Sequence, residues 1–284
     1  MVVDENSFTK AANKLHMTQP AVSQAVKNLE NHFNTTLIDR VNKTFYLNKA
    51  GKIVYEIGKE IHVKLDKMKQ LVGDLHDEVS GEVIIGASYT IGEYMMPQLL
   101  AELHDRYPNL HVHIMIGNTK EIGDKLLNHE IDLAFIEGTY EHPNLVAKTF
   151  MQDNMFVCSA ANDELTSIEN LSEQVWLSRE VGSGTRHMQE KFLQTHQITP
   201  QQSVTLGSTQ LIKEAIQTGL GISLMSQTVV AKELALGTIQ RCNFEYERVT
   251  RDFSLIKYIS SFEPKINEII ETIVNEIWSN KTTK

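Results

Sequence analysis

Thr18-Gln19-Pro20-Ala21-Val22-Ser23-Gln24-Ala25-Val26-Lys27-Asn28-Leu29-Glu30 reads as one short helix with two unlike faces. Ala21, Val22, Ala25, Val26 and Leu29 recur at helical spacing and turn inward. Gln19, Ser23, Gln24, Lys27 and Asn28 stay outward. Thr18 is a natural N-cap, and Pro20 is tolerated in the first turn, so the start of the helix is well marked. The outward face carries amides and a hydroxyl near its N-terminus, then a lysine. Gln pairs two-pronged with adenine, Ser bonds most base edges, and Lys reaches phosphate. A solvated face is the bland account of such a helix, and the flanking sequence decides against it.

Ser7-Phe8-Thr9-Lys10-Ala11-Ala12-Asn13-Lys14-Leu15 precedes it as a helix capped by Ser7, with Phe8, Ala11, Ala12 and Leu15 as its apolar stripe. His16-Met17-Thr18 is a tight turn between the two. Two helices so joined, with small residues where they cross, form a helix-turn-helix. Its second helix would enter the major groove N-terminal end first, setting Gln19, Ser23 and Gln24 against base edges. Leu37 to Asn48 then reads as two short strands about the turn Asn42-Lys43, with Arg40 and Lys43 near the tip. Such a hairpin is a wing along phosphates, a lid on the helices, or both. The candidate DNA-binding residues are therefore Thr18, Gln19, Pro20, Ser23, Gln24, Lys27, Arg40 and Lys43.

Charge distribution agrees. The 284 residues carry a net −9, but residues 1–52 hold seven Lys/Arg against four acids, a net +3, which leaves −12 on the rest. A small basic head on a large acidic body suits a protein that touches phosphate at one end. No apolar run approaches the ~20 residues that span a bilayer. Met1 to Asn6 lacks the basic-then-apolar pattern of a signal peptide, so a cytoplasmic chain is expected. Cys158 and Cys242 form no metal-type cluster; two idle thiols in a reducing compartment are favoured over one disulfide.

From Lys49 to about Asp77 one long helix is expected. Ile53, Ile57, Ile61, Leu65, Met68, Leu71 or Val72, and Leu75 form a single apolar seam. Pairing with a second copy buries such a seam; packing on the chain's own domains is the alternative. Beyond Val79-Ser80-Gly81, short apolar runs alternate with amphipathic helices. The runs are Val83–Ala87, Val112–Ile116, Leu133–Ile136, Leu145–Phe150, Met155–Cys158, Ser203–Leu206, Ile222–Met225 and Phe253–Tyr258. Helices are expected near Tyr94–His104, Lys120–Asn128, Thr185–His196, Thr209–Thr218 and Thr228–Leu236, and from Pro264 to Trp278. The alternation predicts an α/β fold with largely parallel sheets in two lobes, the chain crossing near Ser159–Ala161 and Ile259–Pro264. The expected division is a DNA-binding domain over 1–52, a linker helix over 53–80 and an effector domain over 81–284. Lobe I takes about 81–159 and 262–284, and lobe II about 160–261.

Four loops after strands share a theme: Ser88-Tyr89-Thr90-Ile91-Gly92, Gly117-Asn118-Thr119, Val181-Gly182-Ser183-Gly184-Thr185-Arg186 and Gly207-Ser208-Thr209. Each puts hydroxyls and free backbone N–H groups at a helix start, which suits a small anion. Any one such loop is a helix cap first; four at one end of two lobes suggest a cleft. Candidate effector residues are Ser88, Thr90, Asn118, Thr119, Glu137, Ser183, Thr185, Arg186 and Thr209. Arg186 either meets the ligand or pairs with an acid such as Glu180 or Glu137. No P-loop or nucleophile elbow occurs, His111 and His113 lack a carboxylate pair, and no catalytic residue, metal or cofactor is expected.

Ser7-Phe8-Thr9-Lys10-Ala11-Ala12, Thr18 to Gln24, Leu29-Glu30, Leu37-Ile38-Asp39-Arg40 and Leu47-Asn48-Lys49-Ala50-Gly51 together resemble the N-terminal domain of the LysR-type transcriptional regulators. Asn48 stands where that family often has Thr; either caps the next helix. Family members carry about one more helix ahead of Asp4, of which Val2-Val3 match the end. The body resembles the family's effector domain, itself similar to periplasmic solute-binding proteins. Gly117 to Ile122, Glu137-Gly138 and Gly182 to Arg186 resemble most the branch governing sulfur assimilation and cysteine synthesis, with the related carbon-fixation regulators. In that branch the positions of Ser88 and Thr90 lie in the effector cleft. The resemblance implies a winged helix-turn-helix, a long linker helix and a two-lobed α/β effector domain. It implies double-stranded promoter DNA, a small anionic metabolite and RNA polymerase as partners, and a homodimer or homotetramer. A solute-binding protein without DNA activity is the alternative, opposed by residues 7–51. A two-lobed enzyme would need a convergent acid-base or nucleophile set, and none is found.

Overall fold

The computed structural model describes residues 1–41, 44–73, 79–163, 165, 167–242, 244, 246–260 and 263–278. It separates into two compact units, Met1–Met68 and Lys69–Lys284.

In the first unit, α1 (Phe8–Lys14) begins where Ser7 Oγ accepts from the Lys10 N–H at 3.2 Å. His16, at φ +51°, turns the chain, and α2 (Gln19–His32) starts at Thr18, whose hydroxyl accepts from Ala21 N–H. Ala11, Ala12 and Val22 are buried where the helices cross, because small side chains let the backbones approach. The inward face expected of α2 is covered only in part. Val22 is buried, but Ala25 is exposed and Leu29 is 42 % exposed, since no described element of this unit covers that side of the helix. Strands β1 (Ile38–Val41) and β2 (Thr44–Leu47) pair antiparallel, Ile38 opposite Leu47 and Val41 opposite Thr44. Phe45 meets Phe8 edge-on at 5.3 Å, so the hairpin does pack as a lid on α1. Glu30 accepts from Leu37 N–H at 2.8 Å and fixes the hairpin to the end of α2. Asn48 caps α3 (Lys49–Gly73) through the Gly51 N–H. Along α3 the seam residues Ile53, Ile57, Ile61, Leu65, Met68 and Val72 are all exposed. The expected seam residue Leu75 lies outside the described residues.

The second unit begins with β3 (Gly81–Ser88), α4 (Tyr89–Tyr94), α5 (Met96–Arg106), β4 (Leu110–Gly117), α6 (Thr119–Leu127) and β5 (Leu133–Glu137). Next come β6 (Leu145–Ala160), β7 (Val175–Ser178), α7 (Gly184–Thr195), β8 (Gln202–Thr205) and α8 (Thr209–Gln217). The last elements are β9 (Ser223–Ser226), α9 (Gln227–Leu236), β10 (Ile239–Arg241), β11 (Val249–Tyr258) and α10 (Lys265–Ile277). Seven strands form one sheet in the order β10-β6-β11-β5-β3-β4, with β9 also on β6. β7 and β8 pair separately, and Trp176 bridges to Ile222 just ahead of β9.

Pairing is parallel inside each lobe, β3 with β4 and β5, and β7 with β8. The expectation of largely parallel sheets fails at the two long strands. β11 runs antiparallel to β5 and β6, and β6 antiparallel to β9 and β10. Leu145–Phe150 and Met155–Cys158, expected as separate runs, are one 16-residue strand. The polar residues Gln152-Asp153-Asn154 break the apolar pattern, yet they pair with Thr250-Arg251-Asp252 of β11. The chain therefore passes between lobes in mid-strand, near Asp153 and Arg251, rather than at the expected Ser159–Ala161 and Ile259–Pro264. The structure adds β7, which is the short apolar run Val175-Trp176-Leu177 with Ser178, and the three-residue β10, neither of which is among the expected runs. The helix expected near Tyr94–His104 is α5, and the residues Tyr89–Tyr94 ahead of it, expected as a loop, form the separate helix α4, which ends at Met95 ahead of Pro97.

Lobe I buries β3, β5 and β11 beneath α5 and α10, with Ile85, Leu99, Phe135, Phe253, Ile270 and Trp278 in one core. α6 covers the opposite face through Ile122 and Leu126. Lobe II is likewise covered on both faces, around Trp176 and Phe192 on one and Ile212, Ile216 and Val230 on the other. β5, buried at every residue, shows why it reads as a continuous apolar run. Both cysteines are buried and free.

Candidate functional site

On the first unit, α2 presents the polar face that its sequence implies. Gln19 Nε2 donates to Ser23 Oγ at 2.9 Å, and Gln24 Nε2 donates to Asn28 Oδ1 at 2.8 Å. These i,i+4 pairs hold the amides along the helix surface. Thr18, Gln19, Pro20, Gln24 and Lys27 are exposed, and Ser23 is half-buried. A groove of ≈ 690 Å³ is bordered by Pro20, Ser23, Gln24 and Lys27 of α2 and by Ile38 and Asp39 of the hairpin. Arg40 stands in β1, and Lys43 lies outside the described residues.

In the second unit the four hydroxyl-bearing loops converge between the lobes. Asn118 caps α6 in a capping box with Glu121, and its Nδ2 also donates to Glu180 Oε1 of lobe II at 3.3 Å. Lys120 N–H donates to Gly182 O at 3.1 Å across the same gap. Thr119 Oγ1 donates to Glu137 O. Ser183 caps α7, and Ser208 caps α8. Gly184 shows how close the lobes come: a Cβ there would stand 2.4 Å from Glu137 O and 2.9 Å from Thr119 Oγ1. Any other residue would force α7 away from lobe I.

Two arginines not foreseen in the sequence organise this region. Arg251, from β11, is 3 % exposed. Its Nε donates to Asp153 Oδ2 at 2.9 Å, Nη1 to Thr185 Oγ1 at 2.9 Å and Nη2 to Thr90 Oγ1 at 3.2 Å. One guanidinium thus gathers a hydroxyl from each lobe and a carboxylate from the crossing strand. Glu137 Oε2 stands 3.0 Å from Nη2 as an ion pair. Arg179, 1 % exposed, binds both oxygens of Glu180 and the hydroxyl of Thr209, and its guanidinium lies 4.4 Å from the ring centre of Tyr89 in lobe I. Lys213 repeats the theme: it pairs with Glu233 at 2.6 Å and sits over the Tyr94 ring. Burial pushes the Glu93 carboxyl up, against the pull of the Arg179 and Lys213 charges.

Thr90, Asn118, Thr119, Glu137, Ser183, Thr185 and Thr209 are therefore brought together, with their side chains hydrogen-bonded by the protein itself except at Glu137 Oε2. Ser88 Oγ is buried and has no hydrogen-bond partner. Arg186 pairs with neither Glu180 nor Glu137. It bonds Glu190 one turn along α7 and donates to Arg179 O, because the two acids are already taken by Arg179 and Arg251. Outside this closed cluster a cavity of ≈ 370 Å³ opens between the lobes, lined by Lys120, Tyr140, Val181, Gly182, Arg186 and His187 among others. Burial and a hydrogen bond to Asp124 push the Tyr140 phenol up to about 12. No local pattern marks Arg251: Phe253 to Ile256 are buried without alternation, and the register shifts between Phe253 and Ser254. His111 and His113 are exposed on β4, and no metal-holding group of His, Cys, Asp or Glu occurs among the described residues.

Known proteins share both parts. The model of the bacterial regulatory helix-turn-helix protein, lysR family, matches residues 1–52, and that of the LysR substrate binding domain matches residues 76–276. The chain belongs to the LysR family. It is thus a DNA-binding transcription regulator with an effector-binding domain, of a family that is not enzymatic. The regulator CysL of Bacillus subtilis is 35% identical, over 100% of this chain and 96% of its own length. A probable RuBisCO transcriptional regulator of Porphyra purpurea is 33% identical, over 94% and 88%. These relatives lie in the sulfur and carbon-fixation branch of the LysR family. The Synechocystis CcmR regulatory domain in complex with 2-PG shares the fold of the effector part, at TM-score 0.66, 24% identity, 71% of this chain and 99% of that one. No helix among the described residues is long and apolar enough to cross a membrane.

Proposed function

We propose that the cleft between the lobes binds a small anionic metabolite, and that its occupancy alters promoter binding by shifting the population of lobe arrangements. The observation that carries the reading is the meeting of Thr90 from lobe I and Thr185 from lobe II on the single guanidinium of Arg251. An oxyanion placed there would bridge both lobes. Ser88, Thr90, Asn118, Thr119, Glu137, Ser183, Thr185, Arg186 and Thr209 form or border the site. Similarity to CysL favours genes of sulfur and cysteine metabolism as targets, and the 2-PG bound by the CcmR domain agrees with an anionic ligand.

On DNA, Gln19, Ser23 and Gln24 read base edges from the N-terminal half of α2, and Thr18, Pro20, Lys27, Arg40 and Lys43 hold the phosphates. Residues 1–52 form the DNA-binding domain, 53–80 the linker and 81–284 the effector domain. The exposed seam of α3 pairs with a second copy, and two dimers form a tetramer that works in the cytoplasm with RNA polymerase. The test is binding of the full chain to its own promoter region as a function of salt. Affinity should fall steeply with salt, and Lys27→Ala should reduce the log–log slope by about 1. A flat salt dependence, or no preference over random DNA, sinks the reading.

A further inference from the structure

The cleft holds an imbalance. Arg251 is one buried cation facing two buried carboxylates, and the two are not equally held. Asp153 accepts from Arg251 Nε, from Ser226 Oγ at 2.9 Å and from Thr228 Oγ1 at 3.3 Å. It is the structural counter-ion. Glu137 is 1 % exposed, yet its Oε1 meets only the Thr185 hydroxyl at 3.5 Å, and its Oε2 has no hydrogen-bond partner. The 3.0 Å approach of Oε2 to Arg251 is an ion pair without hydrogen-bond geometry. A carboxylate so deeply buried, held by one ion pair and one long hydrogen bond, has its desolvation cost only partly offset. Two residues before Thr90, whose hydroxyl contacts Arg251, Ser88 Oγ is also buried without a partner.

We infer that Glu137 is a built-in competitor: its carboxylate occupies the place on Arg251 that an oxyanion effector takes, and the effector binds by displacing it. The inference rests on the anion-cleft reading above and adds its regulation. Arg251, Thr90 and Thr185 are the receptor, and Ser88 Oγ supplies a donor that no protein group now uses. With Glu137 seated, the Arg251 site is filled by the protein's own anion, so only an effector that outbids a tethered carboxylate enters. This sets a threshold concentration, since the fraction of receptors free of Glu137 scales the apparent affinity. It also selects oxyanions able to satisfy both the guanidinium fork and the hydroxyls, as Glu137 does not.

The decisive variant is Glu137→Gln, which keeps the shape and removes the competing charge. Sulfate, inorganic phosphate and acetate are titrated calorimetrically into the full chain and into the variant. The variant should bind whichever of these the unaltered chain binds at least about tenfold more tightly, an effect within the usual range of site coupling. Tightening cannot arise from misfolding. Glu137→Asp, which retains the charge, should not tighten, and Arg251→Lys, which loses the fork, should weaken binding in a chain of unchanged secondary structure. If the unaltered chain binds an anion and Glu137→Gln binds it no tighter, the competitor role is wrong while the anion cleft stands. Weaker binding by Glu137→Gln would make Glu137 a direct effector contact and overturn the inference. A Glu137→Gln chain that fails to fold would make Glu137 a structural counter-ion, and the competitor role would fall with it. If neither chain binds any of the three, the anion reading fails as well.

Discussion

Arg251 illustrates what a single side chain decides in this molecule. It contributes nothing to the apolar pattern of its strand, yet it collects Thr90, Thr185, Asp153 and Glu137. The hydroxyls around it were legible in the sequence because Ser and Thr at strand ends are conspicuous. The arginine that gathers them was not, because its hydroxyl partners lie 66 to 161 residues away in the chain. The cysteines give the opposite lesson. Burial pushes the Cys242 thiol up to about 11, and Cys158 is pushed up as well. A raised thiol pKa favours the folded state only while the thiol is protonated. That contribution is intact below the ordinary value of 9.0 and is lost as pH rises through 9 towards about 11. At pH 8 the native chain should therefore be inert to a thiol-selective disulfide reagent, with both thiols reacting on unfolding in urea. Fast reaction of a native thiol would contradict the burial.

At the scale of elements, helices with caps declared themselves. Thr18, Asn118, Ser183 and Ser208 stand where sequence places them and cap α2, α6, α7 and α8. Other elements did not. β7 and β10 are three or four residues long, and β6 carries polar residues in mid-strand because its neighbour there is Arg251. α3 stands between these cases. Its seam is regular, and among the described residues of its own unit none buries it: Ile57 is 49 % and Ile61 54 % exposed. If the seam meets a second copy, Ile61→Asp should split the assembly, read as a halved mass by light scattering, and weaken promoter binding. If the seam is merely solvated, the same change should stay within about 0.5 kcal/mol in stability and leave the mass unaltered.

For the molecule as a whole, the cleft is closed by polar contacts such as Asn118 to Glu180 and Lys120 to Gly182 and by the rings of Tyr89 and Tyr94. Tyr89 of lobe I under Arg179 of lobe II is the one most open to test. Tyr89→Leu removes the ring and should lower stability by about 1–2 kcal/mol in urea unfolding of the full chain, while Tyr89→Phe should stay near the unaltered value. Equal losses in both variants would assign the effect to the hydroxyl. The sequence by itself determined the helix-turn-helix, the hairpin, the long helix and the α/β alternation. Each of these rests on short-range periodicity and capping, which neighbouring residues alone dictate. It also exposed the hydroxyl-rich loops as a set. Only the tertiary structure decided that the strands cross between lobes in mid-strand. The same holds for Arg186 serving its own helix and for the cleft being filled by an internal carboxylate. These depend on which charge reaches which across long stretches of chain, and no local pattern encodes that distance.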